Sequence, residues 1–234
     1  MAQVSEFLSA VPIKTRDLIK PHLTEVKLER GATLARPHSK LEIAYLPIDC
    51  VLSVDLQISE GATFCTGLIG SDGLLGAGMS LDDRVCLYGV SAITGGSAFV
   101  LTMSRLRDLL LQMPEFRKRS LAYEQFFLAQ VQQTAACSAL HEAPARLGSW
   151  LLRLQQHAGS EISLTQNTLA QMLGVRRTTV TDAALALQKA GAIEYRRGDI
   201  SILSGEKVRQ SSCGCDAEIA SHYSRLFQAE FNEE

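Results

Sequence analysis

The stretch Thr165-Gln-Asn-Thr-Leu-Ala-Gln-Met-Leu-Gly-Val-Arg-Arg-Thr-Thr-Val-Thr-Asp-Ala-Ala-Leu185 decides how this chain is read. Two helices that cross steeply need a small residue on the first and a glycine to take the left-handed turn. They also need a β-branched apolar residue on the second. Ala170, Gly174 and Val180 meet those demands in order, and Leu169, Leu173 and Val175 supply apolar positions around the turn. Thr165 suits the N-cap of the first helix. The second helix is predicted to start near Arg177 and to expose Arg176, Arg177, Thr178, Thr179, Thr181 and Asp182. That is the end of such a helix that enters a major groove. A winged helix used only for protein contacts is the plainer alternative.

Downstream, Gly191 is expected to end the helix, and Ile193-Glu-Tyr-Arg-Arg-Gly-Asp-Ile-Ser-Ile-Leu203 reads as a β-hairpin. Its tip places Arg196 and Arg197 where a wing meets phosphates. Between 170 and 200 there are five basic residues (176, 177, 189, 196, 197) against three acidic ones (182, 194, 199).

Upstream, Pro114 opens a helix predicted to reach about Leu140, with Phe116, Leu121, Phe127, Leu128 and Val131 along it. Leu121, Leu128 and Ala135 recur every seven residues, while Phe116, Ser120, Tyr123, Phe127 and Thr134 line a second face. A helix apolar on two faces buries one in its own domain and has the other for a partner. The dimer-interface residues expected are Leu121, Phe127, Leu128, Val131 and Ala135. A central core helix is the alternative. Pro144 then breaks the chain ahead of a helix from Ala145 to Gln156.

The first hundred residues have a different texture. Val51–Leu56 alternates like a half-buried strand, and Phe64–Ile69 and Val90–Ile93 are similar. Turns are expected at Ser59-Glu60-Gly61, Gly70-Ser71-Asp72-Gly73 and Gly95-Gly96, as in a small antiparallel β structure. Ser5 and Thr15 are candidate caps of short N-terminal helices, and Ser104 of a helix ending near Pro114.

Composition agrees with a folded, water-exposed protein. The 234 residues are 46% hydrophobic and 21% charged with a formal charge of −2, which excludes whole-chain disorder. No apolar run approaches the ~18–20 residues of a membrane span, and Glu6 interrupts the first apolar run, so no signal peptide is expected. The expected location is cytoplasmic. Paired carboxylates, a nucleophile elbow, a P-loop and metal-spaced His/Cys sets are not found, so no enzyme is expected. His38, His141 and His157 are scattered and read as structural or surface residues.

The chain resembles the Crp/Fnr family of bacterial transcription regulators over essentially its full length. The matching stretches are Tyr45-Leu46-Pro47 with Ser53, Gly67–Gly70 with Asp72-Gly73-Leu-Leu-Gly76, Leu128–Cys137, Thr165–Leu185 and Tyr195-Arg-Arg-Gly198. The resemblance implies an α+β chain with an N-terminal antiparallel β-roll of the cyclic-nucleotide-binding type over 1–113. It implies a dimerisation helix over 114–140, a winged helix-turn-helix over 141–210 and a tail over 211–234. It also implies a homodimer on double-stranded DNA, its recognition helices in successive major grooves of a pseudo-palindromic operator about 34 Å apart. An activator of this kind would also contact RNA polymerase, and no residue run identifies a surface for it.

The departures bear on mechanism. Relatives that respond to cyclic nucleotides hold the ribose with a Gly-Glu pair and the cyclic phosphate with an Arg-Ser pair. Here Leu74 follows Gly73, and Val85 follows Arg84. Leu cannot accept from a ribose hydroxyl, and Val has no hydroxyl to offer. The Thr-Ser pair that meets the base falls on Val131-Gln132. The expected effector pocket, Leu74, Arg84, Val85, Val131 and Gln132, is therefore not suited to cyclic AMP, and the effector is unknown. With no cysteine before Cys50, the N-terminal iron–sulfur pattern is absent. In the recognition helix, the Glu and Arg that read relatives' half-sites are Thr178 and Asp182, so a different operator is expected.

Six cysteines, at 50, 65, 86, 137, 213 and 215, read as reduced thiols. Cys213-Gly-Cys215 could bind a soft metal or sense oxidation. His222 is the only further ligand type close by in sequence, so four ligands are not assembled and no metal or cofactor is expected. The alternative function is a regulator gated by a small molecule or by cysteine redox state. The tail from 205 sets three basic residues against six acidic ones, and His222-Tyr223 with Leu226-Phe227 suggests a short amphipathic helix.

Overall fold

The computed structural model describes residues 5–58, 62–79, 85–196 and 198–227. The turn expected at Ser59-Glu60-Gly61, with Arg84 and Arg197, lies outside them. The chain divides into two compact units: Met1–Asp55 with Leu68–Phe127, and Leu56–Gly67 with Leu128–Glu234.

The first unit opens with helices α1 (Glu6–Ser9) and α2 (Ile13–Ile19). Strands β1 (Thr24–Leu28), β2 (Thr33–Ala35), β3 (Ile43–Pro47), β4 (Leu52–Gln57), β5 (Thr63–Ile69), β6 (Gly89–Ala92) and β7 (Gly96–Thr102) follow, the end of β4 and residues 63–67 of β5 being counted with the second unit. They form two sheets, β1-β7-β3 and β2-β6-β4-β5. The pairs β1–β7, β3–β7 and β4–β6 are antiparallel, setting Tyr45 opposite Val100 and Val54 opposite Val90. Leu46, Leu52, Val54, Leu74, Leu75 and Val90 fill the core between them.

The alternation expected along β4 does not hold, because Ser53 is buried together with Leu52 and Val54. The hydroxyl is accommodated by polar neighbours: it donates to Asp55 Oδ2 at 2.9 Å and lies 3.0 Å from Ser91 Oγ. Three caps also differ from expectation. Ser5 Oγ donates to the Ser71 carbonyl at 3.1 Å instead of capping α1. α2 starts at Ile13 behind Pro12, ahead of Thr15. Helix α3 (Met103–Gln112) is capped by Thr102, whose hydroxyl accepts from the Arg105 N–H at 3.3 Å, not by Ser104.

Helix α4 runs Pro114–Leu140 and supplies both units. Its first half buries Phe116, Tyr123 and Phe126. The Phe7 ring meets Phe116 and Tyr123 edge-on, at centroid distances of 6.2 and 5.8 Å. Arg119 lies 5.0 Å over the Phe7 ring and donates to the Phe7 carbonyl at 2.9 Å. Gly73 is required here, since a Cβ would fall 2.2 Å from Tyr123 Oη.

In the second unit, α5 (Ala143–Ala158) is the central helix, with Leu147, Trp150, Leu151 and Leu154 buried. It starts ahead of the expected Ala145, because Pro144 fits its first turn instead of breaking the chain there. Around it lie α6 (Gln166–Leu173), α7 (Arg177–Lys189), α8 (Gly205–Ser211) and α9 (Cys215–Phe227). The expected hairpin is β9 (Ile193–Arg196) with β10 (Asp199–Ile202). A short strand not anticipated, β8 (Glu161–Ser163), pairs with the other side of β10. Among the described residues, no helix is long and apolar enough to cross a membrane.

Candidate nucleic-acid interface

The turn between α6 and α7 forms as its residues dictate. Thr165 takes the N-cap position, its hydroxyl accepting from the Thr168 N–H at 3.1 Å. α6 ends on Gly174 at φ +60°, in the left-handed region. The Val175 N–H then reaches back 3.1 Å to the Ala170 carbonyl. A Cβ on Gly174 would also fall 2.9 Å from the Phe64 ring, so bulk is excluded there as well as conformation. Leu169, Met172 and Leu173 of α6 are buried, as are Val180, Ala183, Ala184 and Leu187 of α7. Buried Arg146 of α5 donates to the Leu173 carbonyl at the end of α6 and to Ser138 Oγ at 3.1 Å.

With one face of α7 committed to the core, the other carries polar groups. Arg176, Arg177, Thr178 and Asp182 are exposed, and Thr179 and Thr181 are half-buried. Arg177 Nη2 donates to Gln166 Oε1 at 3.0 Å, which orients its guanidinium. Sequence reasoning missed Gln166; its place directly after the N-cap of the first helix was the available signal. Thr181 Oγ1 donates back to the Arg177 carbonyl at 3.3 Å. On the wing, the turn uses Gly198 at φ +97°. Exposed Arg196 is paired with Glu194 at 2.5 Å, so part of its charge is offset within the strand.

Residues 145–211 match the family of Crp-like helix-turn-helix domains. The fold is that of FixK2 from Bradyrhizobium japonicum, with a TM-score of 0.68 at 14% identity over 82% of this chain and 98% of that one. It is also that of the c-di-GMP-responsive global regulator CLP from Xanthomonas campestris (TM-score 0.66, 15% identity, 82% and 99% covered). A transcriptional regulator of the CRP/FNR family from Thermus thermophilus is similar too (TM-score 0.66, 20% identity, 81% and 98% covered). The chain has a Crp/Fnr-like fold that carries a Crp-like helix-turn-helix domain over 145–211. Among curated protein sequences, nothing matches it.

The expected effector residues are placed as follows. Leu74 is buried in the first unit and Val85 is exposed there. Val131 and Gln132 belong to the second unit, half-buried and exposed. Glu124 Oε1 accepts from the Gly78 N–H at 2.8 Å, and burial pushes this carboxyl above the usual carboxylate range. Of the expected dimer residues, Leu121, Leu128 and Ala135 are exposed, while Phe127 and Val131 are half-buried.

The cysteines correct one expectation. Cys213 and Cys215 do have two further ligands beside them, from the end of α4. The donor atoms of Cys137, His141, Cys213 and Cys215 all lie within 4.8 Å of one another. Cys137 and Cys213 sulfurs are 3.5 Å apart, and Cys215 Sγ is 3.6 Å from His141 Nδ1. His222 is not in the group. The Cys213 thiol is pulled down to about 5, first by its hydrogen bond with Cys137, which is itself driven upward by that contact and by burial.

Proposed function

We propose that this Crp/Fnr-type protein is a sequence-specific DNA-binding transcription regulator, acting as a homodimer on a pseudo-palindromic operator without responding to cyclic AMP. The observation that carries the reading is the helix pair α6–α7 locked by Gly174, with Arg176, Arg177, Thr178 and Asp182 left on its outer face. A helix so presented fits a major groove, where Arg reads guanine and Asp accepts from cytosine N4. Arg177 is the candidate base reader; Thr165 and Arg196 suit backbone contacts. Exposed Leu121, Leu128 and Ala135, seven residues apart on α4, support a second copy as the helix's partner. Leu74 in place of a ribose-binding carboxylate, and its burial, argue against a cyclic nucleotide.

The test is selection from random duplex DNA with reduced protein and no added effector. An enriched palindrome with half-site centres about 10 base pairs apart is expected. A folded protein that enriches nothing would overturn ligand-free binding and favour a regulator gated by a small molecule or by its thiols. The cysteine group at the end of α4 is the observation that keeps that second reading in view.

A further inference from the structure

We propose that Cys137, His141, Cys213 and Cys215 form a closed, four-ligand site for a single zinc ion, tying the end of α4 to the segment between α8 and α9. The ligand set is built from two short pieces of chain. Cys137 lies on the last turn of α4 and His141 directly follows the helix, four residues on. The His141 N–H still bonds to the Cys137 carbonyl at 3.0 Å, so the i, i+4 arrangement that sets two side chains on one face is kept. Cys213 and Cys215 flank Gly214 at φ +79°, a left-handed kink that turns both thiols to one side.

The backbone around them is held in place. The Cys213 N–H donates to the Ala145 carbonyl at 3.1 Å. Ser212 packs so close to α5 that a Cβ on Gly148 would lie 3.1 Å from its Cα. Ser212 Oγ accepts from the Gly214 N–H at 3.1 Å and donates to Asp216 at 2.7 Å.

The spacing suits one tetrahedral ion. Zn–S and Zn–N bonds of ~2.3 and ~2.0–2.1 Å place neighbouring donors roughly 3.5–3.8 Å apart. The Cys137 and Cys213 sulfurs are 3.5 Å apart and Cys215 Sγ is 3.6 Å from His141 Nδ1, with every donor pair of the group inside 4.8 Å. A disulfide would bring the sulfurs to ~2.05 Å, and an iron–sulfur core would spread four ligands farther than this group spans. Three thiolates and an imidazole are a soft, closed set of the kind that holds structural zinc. Outer-shell support is present. Gln133 Nε2 donates to Cys215 Sγ at 3.2 Å, and the buried Arg153 lines the same small cavity as Cys137 and Cys215, placing a positive charge beside a site of net charge −1.

The inference is tested on the full chain without DNA, so it stands or falls apart from the DNA-binding reading. Reduced protein is analysed for metal by mass spectrometry, then stripped and titrated with cobalt(II) chloride alone. One zinc per chain is expected, and one cobalt per chain with the visible bands of a tetrahedral ion and intense thiolate-to-metal charge transfer. Cys213→Ser/Cys215→Ser should abolish both, and His222→Ala should change neither. Cys137→Ser should weaken zinc binding by more than the ~10–100-fold that losing an outer-shell partner costs. His141→Cys should keep the metal and intensify the charge transfer, a change that misfolding would not produce. Folded, reduced wild-type protein that takes up no cobalt would overturn the site. So would a cobalt spectrum unaltered by the double variant, or a Cys137–Cys213 disulfide that forms as readily with zinc chloride as without it.

Discussion

Arg177 is the residue on which the proposed specificity turns. Its guanidinium is exposed yet steadied by Gln166, so on the proposed reading it would reach a base edge with part of its ordering already done. Arg177→Ala should cost about 1–3 kcal/mol of operator binding and relax preference at one base position. Titration against a set of singly substituted operators checks this; equal loss on every sequence would make the contact a phosphate one. Glu124 is informative about pH. Its folded carboxyl binds a proton more tightly than in the unfolded chain, so its contribution to stability is greatest below the ordinary glutamate range and falls as pH rises through the elevated folded value. Glu124→Gln keeps an acceptor for Gly78 and removes the buried charge. Its melting temperature should exceed that of wild type at pH 7.5, with the gap closing toward pH 4.5. A gap that does not vary with pH would refute the assignment.

At the scale of elements, the α6–α7 turn rests on one glycine. Gly174→Ala places a side chain in the left-handed region and against the Phe64 ring, and should destabilise the protein by about 1–2 kcal/mol in urea unfolding. A neutral result would mean that the turn relaxes. This turn and α4 were legible in the sequence because their signals are local: a glycine between two apolar helices, and a proline opening a 27-residue helix. β8 was not, since three residues carry no period and become a strand only by pairing with β10. The cap at Thr102 was obscured by a second hydroxyl two residues on, and only the backbone geometry selects between them. The four-ligand group was hidden by distance along the chain: neither Cys137 with His141 nor Cys213 with Cys215 is a metal motif alone.

For the whole molecule, the proposal requires two copies, because one recognition helix reads only half a palindrome. Leu121 and Leu128 are 51% and 57% exposed in the single chain, large apolar groups on one stripe of a long helix. Leu121→Glu/Leu128→Glu should convert a dimer to a monomer in sedimentation velocity and abolish binding to a palindrome while leaving the melting transition in place. A variant that stays dimeric would place the interface elsewhere. The overall charge of −2 does not exclude such a protein, since residues 170–200 carry five basic groups against three acidic ones while the tail from 205 carries three against six.

Cys137 and Cys213 are 76 positions apart in sequence and touch in space. Everything from the start of α5 to the end of α8, the whole 145–211 domain, is therefore a loop whose two ends meet at one knot. Once that knot is tied, tension along the backbone passes from α4 directly to α9 and bypasses the domain between them. The recognition helix would then be mechanically shielded, and its resistance to being pulled apart would depend on the clasp before it depended on its own core.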